Sequence, residues 1–359
     1  MRSGCWAMVG MHVKVMSDTE TDHKGLKVEK LGFISDFDVD CVKVQFEDDH
    51  SVETHNNENI LPVLPKRNEP CRFVFGDHFK TKGIVKDIQW DQKGYLVLSI
   101  GGAFGGKLVV KIDTKENSAE RIGNLFIAKV EHCSEKIGND VFVLGDRNSK
   151  KIEKYNLESN KSKVLSLQMT SNKWNYSSVV HSNRIYVIGG YLRDKSIDTV
   201  EYLEPEKMKW IGAPKLLQSI RCHDSVIVDE IIYAVGDCDS NKFQRFDPRE
   251  GKWSFLADIP NRTHRTALSV FEHTITCSGG KCVPSLCQVY DIRNSKWGEL
   301  TTLTTPVYAA KSIENETFII VVGGFNTDQI QSYNKINKTW SIMDIKLPHK
   351  CDFSSKILL

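Results

Sequence analysis

Eleven histidines and ten cysteines are the residues here best suited to metal binding or nucleophilic catalysis, and their spacing supports neither. His12, His23, His50, His55 and His78 fall early in the chain. His132, His181, His223, His264, His273 and His349 are spread through the rest. The cysteines (Cys5, Cys41, Cys71, Cys133, Cys222, Cys238, Cys277, Cys282, Cys287, Cys351) form no C-x-x-C pair and no regular framework, so reduced thiols are expected. H-E-x-x-H, G-x-S-x-G and G-x-x-x-x-G-K-[ST] are all absent. The run GGAFGGK (101–107) has the glycines of a phosphate loop, but no helical pattern follows it, and it reads as a loop between two strands. The expectation is a protein without catalysis, cofactor or metal, whose chemistry is recognition.

Residue types suited to recognition recur at one offset. Trp174, Arg221, His264 and Tyr308 each stand fifteen residues before a glycine that ends an apolar run: Gly189, Gly236, Gly279 and Gly323. Tyr176, His223 and Arg265 lie beside them, and Arg147, Tyr191, Arg193 and Phe325 follow such glycines. Trp, Tyr and Arg combine large contact area with directional hydrogen bonds. Guanidinium groups pair bidentately with carboxylate or phosphate, so the expected partner is a protein or an acidic peptide.

The elements that would bring these residues together form a repeat. Apolar runs end in glycine at Gly101, Gly145, Gly189, Gly236, Gly279 and Gly323, with spacings of 44, 44, 47, 43 and 44 residues. Four of the runs are followed by an aromatic and then a tryptophan: Tyr202 and Trp210, Phe246 and Trp253, Tyr290 and Trp297, Tyr333 and Trp340. Tyr155 lacks the tryptophan, and Val110–Ile112 lacks both. A unit of about 44 residues with four short strands cannot cover both faces of its own sheet, whereas sheets stacked radially cover one another. Glycine pair, then Tyr, then Trp, at this period resembles the kelch repeat. The resemblance spans residues 88–359 and implies an all-β, six-bladed β-propeller, with Asp146 and Asp237 departing from the second glycine. A seventh glycine never arrives, so the terminal strand 351–359 is expected to complete the first blade.

Residues 1–66 carry 7 Lys and Arg against 12 Asp and Glu, a charge of −5, which leaves +7 on the remainder. Their alternating runs MHVKVM, KLGFISDF and CVKVQFED resemble an SH3-like barrel of the Tudor or KOW kind, with 67–87 a linker or the start of a second barrel. Phe33, Phe37 and Phe46 with Asp36, Asp38 and Asp40 would suit a cage for a methylated cation, or else the three rings fill the barrel core. An acidic module argues against nucleic acid. No secretory leader and no apolar span of membrane length is apparent, so the expected location is cytoplasmic or nuclear. The kelch resemblance implies a partner-binding propeller, such as the substrate adaptors of cullin-based ubiquitin ligases or actin-binding proteins. Residues 1–87 lack the helical pattern of the BTB domain that normally accompanies the adaptors, which weakens the cullin link. The alternative is a chromatin- or RNA-associated adaptor that uses the N-terminal barrel. A copper radical oxidase on the same fold would need clustered Tyr, His and Cys ligands, and none is visible.

Overall fold

A strand with no polar face must be covered on both sides, and the glycine-ended runs have that character. Each is the second strand of a four-stranded antiparallel sheet: Leu96–Ile100, Asp140–Leu144, Arg184–Ile188, Ile231–Val235, Thr274–Ser278 and Phe318–Val322. This computed structural model describes residues 96–348 except 103–105, 115 and 117, together with Lys350, and gives strand segments within 12–74 and Ser355–Leu358 as backbone only. Among the described residues no helix is long and apolar enough to cross a membrane.

Six blades result. The first strands of blades 2 to 6, Cys133–Ile137, Ser177–His181, Asp224–Val228, Ala267–Phe271 and Lys311–Glu314, pack side by side around the ring. Blade 1 takes its first strand from the far end of the chain. Ser355–Leu358 pairs antiparallel with Leu96–Ile100, Ser355 opposite Ile100, and stands between the first strands of blades 6 and 2. Residues 351–354 and Leu359 lie outside the described residues. The segment 101–107 joins two paired strands, Leu96–Ile100 and Leu108–Asp113, so its glycines serve a β-connection.

Each blade interface holds its own apolar cluster. Register decides which aromatic enters it. Phe246 stands opposite Trp253, Tyr290 opposite Trp297 and Tyr333 opposite Trp340, with ring centroids 5.4, 5.1 and 5.2 Å apart. In blade 3 the residue opposite Trp210 is Leu203 and not Tyr202. A shift of one residue turns a side chain to the other face of its sheet. Tyr202 therefore packs toward Tyr186 and blade 4, and the irregular spacing in the sequence disappears once Leu203 takes the aromatic's place.

The wedges also carry polar staples. The indole N–H groups of Trp210, Trp253, Trp297 and Trp340 donate to main-chain carbonyls of the preceding blade's end, Gln168, Pro214, Ala257 and Thr301, at 2.9 to 3.0 Å. Two residues before the aromatic position sits a buried Gln or Glu. Gln288 Oε1 accepts the Asn261 N–H at 2.9 Å while its Nε2 donates to the Asn261 carbonyl at 2.9 Å. Gln244 holds Leu217 and Gln218 in the same way, Gln331 holds Thr305, and Glu153 accepts the N–H groups of Phe126 and Ile127. In blade 2, where the tryptophan is missing, the Tyr155 hydroxyl reaches the Ile122 carbonyl of blade 1 at 3.4 Å, over Gly123, where a Cβ would come within 2.4 Å of it.

The chain divides into two compact units, Met1–Lys93 and Gly94–Leu359. The first holds an antiparallel meander, His12–Thr21, Lys27–Phe37, Cys41–Phe46 and Val52–Asn56, and a short pair, Leu61–Pro62 with Phe73–Val74. This pairing does not by itself make a barrel. The cage side chains Phe33, Phe37, Phe46, Asp36, Asp38 and Asp40 lie outside the described residues, as does most of 67–87.

The staples give a stability ordering. Gln288→Leu leaves the partly buried N–H and carbonyl of Asn261 without partners, at about 1 kcal/mol or more each, whereas Trp297→Phe keeps a ring and loses one hydrogen bond to an exposed carbonyl, about 1 kcal/mol at most. Urea unfolding is expected to rank Gln288→Leu as the more damaging. The reverse order would show that the tryptophans, not the Gln staples, hold the blades.

Candidate functional site

The loops of one face are built by backbone bonds that repeat from blade to blade. The N–H one residue after the anchor glycine donates to the chain leading into the next blade: Gly102 to Lys129, Gly190 to Ile220, Asp237 to Thr263 and Gly280 to Val307, at 2.8 to 3.0 Å. Glycine is demanded where this approach is closest, since a Cβ on Gly279 (φ 64°) would lie within 2.4 Å of the Val307 carbonyl oxygen. Asp146 and Asp237 fill the same position with a carboxylate that caps its own loop, accepting the Asn148 N–H at 2.6 Å and the Ser240 hydroxyl at 3.0 Å, and Asp237 also accepts the Arg221 N–H of the segment entering its blade at 3.1 Å.

The next N–H pins the predicted recognition residues. Tyr191 donates to the Trp174 carbonyl, Lys281 to that of His264 and Phe325 to that of Tyr308, at 2.7, 2.9 and 2.8 Å. One residue further on the chain turns left-handed, at Glu131, Asn175, Cys222, Arg265 and Ala309, with φ of 53 to 56°. These residues link blade to blade. Cys222 N–H donates to the Asn175 carbonyl, Arg265 to that of Cys222 and Ala309 to that of Arg265, at 2.7 to 2.8 Å. Left-handed non-glycine residues cost of order 1–2 kcal/mol each, which the inter-blade bonds offset, and such residues cluster where a structure does work.

Four predicted residues form one row. The Arg147 guanidinium lies 4.5 Å from the Trp174 ring centroid, Trp174 meets Tyr191 edge-on at 5.2 Å, and the Arg221 guanidinium lies 4.5 Å from the Tyr191 ring. Arg221 also pairs with Asp239 at 3.4 Å. Tyr308 stacks on Phe325 at 4.8 Å and 14°, and Phe325 is 45% exposed. His264 Nδ1 is 3.5 Å from Cys282 Sγ. Arg193 is exposed on the small hairpin Tyr191–Leu192 with Lys195–Ser196.

Two residues expected on the face are inside the protein. Tyr176 is buried, its hydroxyl donating to the Leu144 carbonyl at 3.0 Å, and His223 is buried with Nε2 2.7 Å from Ser177 Oγ. The left-handed residue between Trp174 and Tyr176, and between Arg221 and His223, breaks the two-residue alternation and turns the second side chain inward. Arg265 is mostly enclosed. It reaches from blade 5 across to blade 2, 2.9 Å from Glu131 Oε1 and 3.3 Å from Asn175 Oδ1, and closes over a cavity of about 100 Å³ at the channel mouth.

Below the mouth the first strands surround a channel cavity of about 500 Å³. Lys311 of blade 6 pairs with Asp224 of blade 4, and Ser178 donates to Glu135 at 2.6 Å. Among the described residues no group of three His, Cys, Asp or Glu is placed to hold a metal ion. The expectations from sequence missed Glu131, Asp239, Arg262 and Lys281. Glu131 lies fourteen residues before Gly145, the offset that separates Arg265 from Gly279, so the repeat count could have found it.

Residues 175–217 match the Kelch motif. Kelch-like protein 23 of Homo sapiens is 21% identical over 58% of this chain and 40% of its own length. Kelch-like protein 25 of Xenopus tropicalis is 23% identical over 69% of this chain and 46% of its own. Kelch repeat and BTB domain-containing protein 2 of Ectromelia virus (strain Moscow) is 24% identical over 44% of this chain and 33% of its own. The chain thus spans less than half the length of these curated relatives. The solved structure of YjhT matches with a TM-score of 0.57 at 13% identity, over 64% of this chain and 88% of that one.

Two channel groups titrate in opposite senses. Burial pushes Glu135 up to about 7, against the Ser178 hydroxyl and Lys311, and burial with Lys311 pushes His223 down to about 3. The Glu135 contribution to stability is full below its ordinary 4.5 and is lost as pH rises through 7, whereas that of His223 is present above 6.5 and is lost as pH falls toward 3. Urea unfolding at about pH 5 and about pH 8 is expected to show Glu135→Gln gaining stability on wild type as pH rises. A constant difference would mean that Glu135 is solvated as in water.

Proposed function

The chain belongs to the kelch-repeat β-propeller family, and from that premise we propose that its ring is a non-enzymatic recognition module that captures an acidic protein segment. The observation that carries the reading is the row Arg147, Trp174, Tyr191 and Arg221, in which two guanidinium groups flank two touching rings on one face. Rings held in place by main-chain bonds lose little entropy when a partner binds, and an aromatic–arginine set is the usual composition of a binding hot spot. The stacked Tyr308 and Phe325 extend the surface with an apolar patch, and Arg193 adds an exposed cation.

The electrostatics favour an acidic partner. His264 is pushed down to about 4 by burial and then by Arg265, Lys281, Arg262 and Arg221. That many cations around one site attract carboxylate or phosphate and steer its approach. The names of the curated relatives support the broader role, since they are kelch-like proteins and a kelch repeat and BTB domain-containing protein. Service as a ubiquitin-ligase substrate adaptor or an actin-associated scaffold would use this same face.

A displayed random-peptide library tests the proposal on the full chain. Enriched peptides are expected to be rich in Asp and Glu, and Arg147→Ala with Arg221→Ala is expected to weaken their binding at least about tenfold, or about 1.4 kcal/mol, with an unchanged melting curve. Peptides lacking acidic residues, or a double variant that binds as wild type does, would overturn it.

A further inference from the structure

The thiols of this ring differ sharply from one another. Burial pushes Cys133 and Cys287 up to about 12 and drives Cys277 upward as well, which suits inert core residues. Cys222 is different although it is only 7% exposed. It occupies one of the left-handed positions at the channel mouth and lines the cavity of about 100 Å³ there, which a small molecule can enter.

A second thiol lies against it. Arg221 and Cys222 lead into the first strand of blade 4, and Asp237, Cys238 and Asp239 follow its second strand. The two segments are pinned together: the Arg221 N–H donates to Asp237 Oδ1 at 3.1 Å, and Arg221 Nη2 reaches Asp239 at 3.4 Å. These bonds set Cys222 and Cys238, the neighbours of Arg221 and Asp237, side by side, and the two thiols act on one another. The Arg265 guanidinium, held by Glu131 and Asn175, acts on Cys222 as well. A sulfur beside a thiol donor and a guanidinium is favoured as the thiolate. Cys222 is accordingly lowered to about 7, by Cys238 first and then, against burial, by Arg265, while the donor Cys238 is raised.

We propose that Cys222 and Cys238 are a peroxide-sensitive dithiol, with Cys222 the attacking thiolate and Cys238 the resolving thiol. The Cys222 sulfur attacks one oxygen of hydrogen peroxide and the O–O bond breaks. The other oxygen leaves as hydroxide and takes up a proton to become water, which leaves Cys222 as a sulfenic acid. The Cys238 sulfur then attacks that of Cys222, the S–S bond forms and the S–O bond breaks, and a second water departs with the Cys238 proton. Two thiols and one peroxide become one disulfide and two waters. The bond forms beside Arg221, so oxidation reaches the cation of the proposed recognition row, but the chemistry does not depend on that role.

The test treats the fully reduced full-length chain with about one equivalent of hydrogen peroxide and maps disulfides in a non-reducing digest. A peptide pair joined through Cys222 and Cys238, two hydrogens lighter than the sum of its parts, is the expected product. Its rate of formation is expected to reach half its maximum near pH 7. In Cys238→Ser, dimedone is expected to label Cys222, and in the wild type that label is expected to be largely lost. A reduced Cys222 beside an oxidised Cys282, a disulfide that joins other cysteines, or equal dimedone labelling in both proteins would overturn the proposal.

Discussion

The structure depends on how each sheet captures the main chain that runs in from its neighbour. A connection between blades runs over a partly buried seam, where its N–H and carbonyl groups face buried side chains of the neighbouring sheet and an unpaired one is costly. Gln244, Gln288 and Gln331 meet that demand as a backbone strand would, with the amide oxygen accepting and the amide nitrogen donating. The tryptophan N–H groups add a second tie to the preceding blade. Apolar clusters fill the wedges, but these polar pairs set the register of one blade on the next.

Register at the connections carries directly into the recognition face. The chain leaves each Gln-held segment, donates and accepts around the left-handed ring from Asn175 through Cys222 and Arg265 to Ala309, and then enters the first strand. The residue just before each ring position is thrown outward and the one just after it inward. Trp174 and Arg221 are therefore available to a partner, while Tyr176 and His223 support them from beneath. The Arg265 bridge to Glu131 spans the mouth from blade 5 to blade 2, so the face and the channel below it are parts of one hydrogen-bonded assembly.

Much of this was legible in the sequence because a propeller repeats its constraints. The glycine spacing identified the six second strands, and the missing seventh glycine pointed to the strand that pairs with Leu96–Ile100. What escaped has a physical reason in each case. Tyr202 was paired with Trp210 because aromatic identity stood in for register, and only the pairing of Trp210 with Leu203 shows which face Tyr202 takes. The ring at the channel mouth was passed over because Glu131, Asn175, Cys222, Arg265 and Ala309 share an offset from the glycines and a backbone conformation but no chemistry. The Gln staples were readable in principle, since Q-x-F and Q-x-Y recur at 244–246, 288–290 and 331–333. Their partners are main-chain groups, which a scan for side-chain motifs passes over.

Native-state hydrogen exchange on the amides of Leu217, Asn261 and Thr305 tests the central claim most directly. These N–H groups belong to connections, yet they donate to buried Gln side chains at 2.8 to 2.9 Å. They are expected to exchange only with global unfolding, at the same free energy as the second strands of their blades. Exchange at the rate of exposed loop amides would show that the connections open on their own, and would contradict a recognition face held in place by the joints between blades.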